Sequence, residues 1–134
     1  MNSSIGIGIT VRNRNEMAKN SLAHMAKHFP EGAKIVIVDD ASEPKCPFAF
    51  YRFDTNVGVA KSKNKCLELL DNCEHIFLFD DDCYPINDGW WQPYVNHDEP
   101  HLMYQFPLAH KPASDMQELY RDEDTVAYSH TRGA

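Results

Sequence analysis

No apolar run in the sequence approaches the ~20 residues that cross a bilayer, so no transmembrane helix is expected. There is no G-x-S-x-G elbow, no Walker-type glycine loop with its lysine, and no papain-like cysteine context. Those absences leave no support for a serine-hydrolase, P-loop or cysteine-protease centre. Positive charge is scarce as well. Thirteen Lys and Arg stand against 20 Asp and Glu, a formal net charge of -7. That balance argues against duplex nucleic acid or an anionic membrane as a partner through bulk charge, although a nucleotide needs only a few local contacts. The N-terminus lacks a charged segment followed by a long apolar one, so no secretory leader is read. Cys46, Cys66, Cys73 and Cys83 show no C-x-x-C spacing. Without a leader they are expected to be free thiols in a reducing, cytoplasmic compartment.

What is present suits one domain: 134 residues, 43% of them hydrophobic, with no internal repeat. The most informative stretch is His75-Ile76-Phe77-Leu78-Phe79-Asp80-Asp81-Asp82-Cys83-Tyr84-Pro85. Its apolar run reads as a buried strand that drives into three carboxylates and a turn. Residues two apart on a strand share a face, so Asp80 and Asp82 are expected roughly 6–7 Å apart on one side. Like charges at the mouth of a core strand repel, and a divalent cation with oxygen ligands is the usual remedy.

The rest of the chain repeats this layout. Residues 5–11 (IGIGITV) alternate as a first strand in which Gly6 and Gly8 leave one face bare for close approach. A helix follows to about His28, ended by Pro30 and Gly32. Residues 34–38 (KIVIV) read as a strand buried on both faces, ending in Asp39 and Asp40. A third strand is expected over 48–53, a turn through Asn56 and Gly58, and a second helix over 59–70. The apolar stripe of that helix is Val59, Cys66, Leu67 and Leu70. Lys63 falls inside the stripe near the helix N-terminus, and must either snorkel out or reach an anion, which a helix N-terminus also favours. Beyond the acidic stretch, Trp90-Trp91 open a short helix or turn and either flank a sugar or pack under the sheet. Residues 102–106 read as a strand, 110–121 as polar and weakly helical, 122–124 as an acidic turn, and 125–129 as a last strand.

Strand–helix–strand–strand–helix–strand implies an α/β fold with a mostly parallel sheet, and such sheets bind ligands beyond the carboxyl ends of their strands. Three strand ends carry the polar residues: Thr10, Arg12 and Asn13; Asp39 and Asp40; Asp80, Asp81 and Asp82. The chemistry this suggests is a nucleoside diphosphate. Asp39 would accept from a base N–H or a ribose hydroxyl, and Asp80 from ribose. Asp82 would hold Mg²⁺ or Mn²⁺ against the diphosphate, with Lys63 adding positive charge. A departing diphosphate stabilised in this way implies group transfer.

Four stretches, 5–13, 35–42 (IVIVDDAS), 56–64 (NVGVAKSKN) and 77–85 (FLFDDDCYP), together resemble the family 2-type glycosyltransferases of the GT-A fold. The resemblance covers about residues 5–95 and implies a Rossmann-like three-layer sandwich. It implies a single GT-A-like domain over 1–134, with 5–95 as the nucleotide-sugar-binding half and 96–134 as the start of the acceptor half. Thr10 and Asn13 would line the nucleotide pocket, and Asp39 would contact the base, commonly uracil. Lys63 would stand near the diphosphate, Asp80 would meet ribose or sugar, and Asp82, with Asp80, would hold Mn²⁺ or Mg²⁺. Arg12, Asp40, Asn56, Gly58, Asn64 and Asp81 complete the implied nucleotide-sugar-binding set. The donor would be a UDP-sugar and the acceptor is unassigned. The family's catalytic base usually lies in the second half, past Ala134, so either the chain is truncated or the acceptor site comes from elsewhere, and no base is nominated. A truncated core would also favour self-association. Two alternatives remain. One is a non-catalytic module that binds the nucleotide sugar. The other is a metal-dependent phosphotransferase or phosphatase using Asp80 and Asp82, although such enzymes usually place Ser or Thr where this chain has Tyr84. His97 and His101 have metal-like spacing, but Pro100 spoils a helix between them. His24 and His28 read as a solvated helix edge.

Overall fold

The computed structural model describes residues 4–97, together with the strands Glu118–Arg121 and Val126–Tyr128. The chain divides into two compact units, Met1–Trp90 and Trp91–Ala134. The first contains β1 (Ile5–Val11), α1 (Asn15–Met25) with a 3-10 turn over Ala26–His28, β2 (Lys34–Asp40), β3 (Tyr51–Phe53), α2 (Val59–Leu69) and β4 (His75–Asp80). Its four strands form one all-parallel sheet in the order β3-β2-β1-β4. The architecture is α/β and compatible with a Rossmann-like fold. Among the described residues no helix is long and apolar enough to cross a membrane.

The alternation in β1 explains how the layers assemble. Ile5, Ile7, Ile9 and Val11 are buried on one face. Gly6 and Gly8 lie on the other, and α2 lies against them. A Cβ on Gly6 would come within 2.9 Å of both Cys73 Sγ and Leu70 Cδ2. The core on this face joins Val36, Val38, Cys66 and Leu70, flanked by Tyr51, Phe53, Leu69, Cys73 and Ile76. Burial pushes the Cys66 thiol up to about 11, so it behaves as a small apolar side chain. The β1–β2 and β3–β4 crossovers run in opposite directions across the sheet. Right-handed connections therefore place α1 on the face opposite α2.

Several expectations change on contact with the structure. The third strand is only Tyr51–Phe53, because residues 48–50 turn into it. The inward face of α2 is Ser62, Cys66 and Leu70, whereas Val59 and Leu67 are exposed. A helix face follows a 100° step, and Leu67 sits one such step off the line from Ser62 through Cys66. The acidic strand β4 is half-buried rather than buried: it ends the four-stranded sheet, and α2 lies over β1 and β2 while only grazing β4. His24 and His28 are not a solvated edge. His24 stacks on Tyr84 with ring centroids 4.6 Å apart. His28 Nδ1 lies 2.7 Å from Asp88 Oδ1, and the His28 carbonyl accepts from Trp90 Nε1 at 2.8 Å. Trp90 also packs edge-on against Phe77 and Phe79, which settles it beneath the sheet.

In the second unit a short helix α3 (Gln92–Val95) is followed by β5 (Glu118–Arg121) and β6 (Val126–Tyr128), paired antiparallel. Residues 118–121 are thus strand rather than weak helix, since pairing across a ladder overrides a marginal local preference. The expected strand at 102–106, the acidic turn at 122–124 and His101 lie outside the described residues.

Candidate functional site

The tips of β1 and β2 are bound into one unit. Asn13 and Ala41, just past each strand, both take φ 55°, a left-handed conformation that side chains seldom adopt. Arg12 Nη1 donates to the Asp40 carbonyl at 2.8 Å. The Asn13 amide donates to Ser42 Oγ at 2.8 Å, and Asn13 Oδ1 accepts from the Glu43 amide at 2.9 Å. Asn13 and Arg12 are thereby committed to holding loop to loop.

The two carboxylates at the end of β2 point to opposite faces. Asp39 is fully buried. Its Oδ1 accepts from the Ser42 amide at 3.0 Å, and its Oδ2 from the Cys46 amide at 3.0 Å and Arg52 Nη1 at 2.7 Å. Burial alone pushes the Asp39 carboxyl up, but the bonds from Ser42, Cys46 and Arg52 outweigh it and hold the group below the ordinary carboxylate range. A base has no route to this carboxylate in the conformation described. Asp40 turns the other way and accepts from the amides of Val57 at 2.7 Å and Gly58 at 3.0 Å. It therefore places a carboxylate just ahead of α2, at the positive end of the helix dipole. The anion there is the protein's own. Asn56 Oδ1 accepts from the Gly58 amide at 3.1 Å, and Gly58 takes φ 91°, which a side chain would oppose.

The acidic tip of β4 divides in the same manner. Asp81 turns inward and is buried, with its carboxylate gripped by Arg14 through Nη2 and, at 3.1 Å, through Nε. Its carbonyl accepts from Ser21 Oγ at 2.8 Å, tying the tip to α1. The hydrogen bond to Asp81, reinforced by the acidic charges around it, keeps the Arg14 guanidinium still more firmly protonated. Asp80 and Asp82 turn outward. Carboxylate oxygens of both and the Cys83 sulfur lie within 4.8 Å of one another, all on exposed residues. The turn is closed by the Cys83 amide, which donates to the Asp80 carbonyl at 3.4 Å. Lys63 Nζ stands 3.0 Å from Asp80 Oδ1, and Arg14 Nη1 3.7 Å from Asp82 Oδ2. Like-charge repulsion at this tip is thus relieved by two basic side chains of the protein itself.

Half-buried Thr10 pairs in register with Asp80. The structure consequently brings together Thr10, Lys63, Asp80 and Asp82, while Asn64 is exposed farther along α2. It sets Asp39 and Asp81 apart as buried anchors. Arg14, Ser21 and Arg52 escaped sequence reasoning. The signal for Arg14 was there, because the middle of three adjacent aspartates must face inward, and a buried aspartate requires a cation.

Asp80 and Asp82 suit a hard divalent cation with oxygen ligands. Cys83 offers a softer sulfur that suits such a cation less well, and its Sγ donates to Asp82 Oδ1 at 3.4 Å. No known family model matches the chain, and no curated protein matches it.

Proposed function

We propose that this chain is a metal-dependent glycosyltransferase of the GT-A type, or the donor-binding half of one, acting on a nucleoside-diphosphate sugar, with a UDP-sugar as the first choice. The observation that carries this is the meeting of Lys63, Asp80 and Asp82 beside Thr10, at the carboxyl ends of β1 and β4 where the strand order reverses. Open parallel sheets bind nucleotides at that switch point. Asp80 and Asp82 would hold Mn²⁺ or Mg²⁺, which supplies charge stabilisation for a departing diphosphate. Lys63 adds a positive charge on the same group, as a point charge rather than a bidentate fork. Asp80, half-exposed beside Lys63, is also open to accept from a sugar or ribose hydroxyl. Asp39, Asp40 and Asp81 act one step back: they fix the loops on which the binding residues stand. A phosphotransferase reading has less behind it, because the position where that chemistry usually has Ser or Thr holds Tyr84, whose ring is stacked on His24.

Calorimetry with UDP-sugars tests the proposal. Binding is expected in the presence of Mn²⁺ and should weaken on chelation. Asp82→Asn should lower affinity at least about tenfold, the scale on which even the outer partners of metal sites act. Failure to bind any nucleoside diphosphate, with or without metal, would reject it. Binding without release of free sugar or transfer to any acceptor would identify a non-catalytic donor module instead.

A further inference from the structure

The two outward carboxylates differ in how their basic neighbours are held. Arg14 is anchored. It grips the buried Asp81 through two nitrogens, and only Nη1 reaches toward Asp82, at 3.7 Å. Lys63 is not anchored. Its one ion pair among the described residues is with Asp80 at 3.0 Å, and both side chains are substantially exposed, at 34% and 51%. Such a pair opens at little cost, and a lysine stem swings more readily than a planar guanidinium held at two points. Asp80, Asp81 and Asp82 carry three negative charges against the two positive charges of Arg14 and Lys63, leaving one negative charge unmatched. A dication arriving alone would have to take Asp80 from Lys63 and then face a displaced ammonium nearby. A diphosphate arriving with it would give that ammonium a new partner.

Resting on the donor-site reading above, we propose that Lys63 is an exchangeable counter-ion. It holds Asp80 when no cation is bound and transfers to the diphosphate as a cation takes Asp80. Divalent cation and nucleoside diphosphate then bind with positive cooperativity, each raising the affinity of the other by the same factor. Lys63 therefore has opposite effects on two measurements: it weakens binding of the cation alone and strengthens binding of the pair.

The test is Mn²⁺ binding to the full chain, followed by the electron paramagnetic resonance signal of free Mn²⁺, with and without UDP. It compares the wild type, Lys63→Met and, as a control on the same helix, the exposed Lys61→Met. Lys63→Met is expected to bind Mn²⁺ alone about three- to tenfold tighter than the wild type, the range set by an exposed ion pair plus one removed like charge. The enhancement of Mn²⁺ affinity by UDP should be large in the wild type and in Lys61→Met, and should shrink toward unity in Lys63→Met. If Lys63→Met binds Mn²⁺ alone no tighter than the wild type, or keeps the full UDP enhancement, the exchange is refuted while the donor-site reading stands. If the wild type binds neither Mn²⁺ nor UDP, both are refuted.

Discussion

Replacing Asp39 with alanine should destabilise the fold by about 3–5 kcal/mol, the cost of removing one partner from a buried ion pair. The carboxylate is wholly inaccessible and serves three donors at once: the Ser42 amide, the Cys46 amide and Arg52 Nη1. Alanine would leave two amides without an acceptor and a guanidinium, itself only 21% exposed, without its nearest counter-charge, with only the exposed Glu43 at 3.5 Å remaining. Arg52 would keep its bond to the Ser42 carbonyl at 2.9 Å, so the loop would loosen rather than dissolve. Urea denaturation at pH 7 measures the loss. Acidification supplies an independent check. Because the folded-state pKa of Asp39 lies below the ordinary value near 3.9, the unfolded chain binds more protons in that range. The stabilisation from Asp39 is complete above roughly pH 5 and is lost as pH falls through the depressed value. Asp39→Ala lacks this component, so its stability should fall less steeply below pH 4 than that of the wild type.

The second large effect is steric. Gly8→Ala should cost about 2–3 kcal/mol, toward the upper end of what overpacking a dense core costs. The new Cβ would stand 2.7 Å from the Cβ of Cys66 and 3.0 Å from both Cys66 Sγ and Leu78 Cδ2. The first contact matters most, since a Cβ is fixed to its backbone and no rotamer relieves it. Cys66→Ala therefore should not rescue Gly8→Ala, because it removes the sulfur and keeps the offending carbon. Thermal unfolding of the two single variants and the double variant decides this. A full rescue would show that the sulfur, not the helix backbone, sets the spacing between β1 and α2. Moving α2 outward would also carry Lys63 away from Asp80, so Gly8→Ala should weaken diphosphate binding as well as stability.

The layout of the first ninety residues could be read from the sequence because it rests on periodicity: alternating isoleucines in β1, a continuous apolar run in β2, and helix stops at Pro30 and Gly32. The convergence of polar strand ends was visible for the same reason. What could not be read was which way each carboxylate points. Asp39 and Asp40 are neighbours in sequence, as are Asp81 and Asp82, and a strand or tight turn sends neighbours to opposite sides. Grouping them by their place along the chain therefore mixed the anchor Asp81 with the candidate ligands Asp80 and Asp82, and hid that Asp39 and Asp40 each hold a different loop. Arg52 was hidden because its partner is set by the parallel register of β3 with β2, where Arg52 stands opposite Asp39. Val59 and Leu67 misled because apolar character marks a helix face only statistically, and the real contact surface was fixed by two glycines on another element.

β1 occupies an inner place in the sheet, between β2 and β4. In a chain emerging from the ribosome, β1 finds β2 after about one helix's length, but its other edge stays open until His75 can lie beside Ile5. That pairing is distant in sequence, so it is slow to form, and an unpaired apolar edge is an invitation to intermolecular joining. Any product that stops short of β4 would keep that edge bare, and it should accumulate as aggregate rather than as a smaller soluble protein.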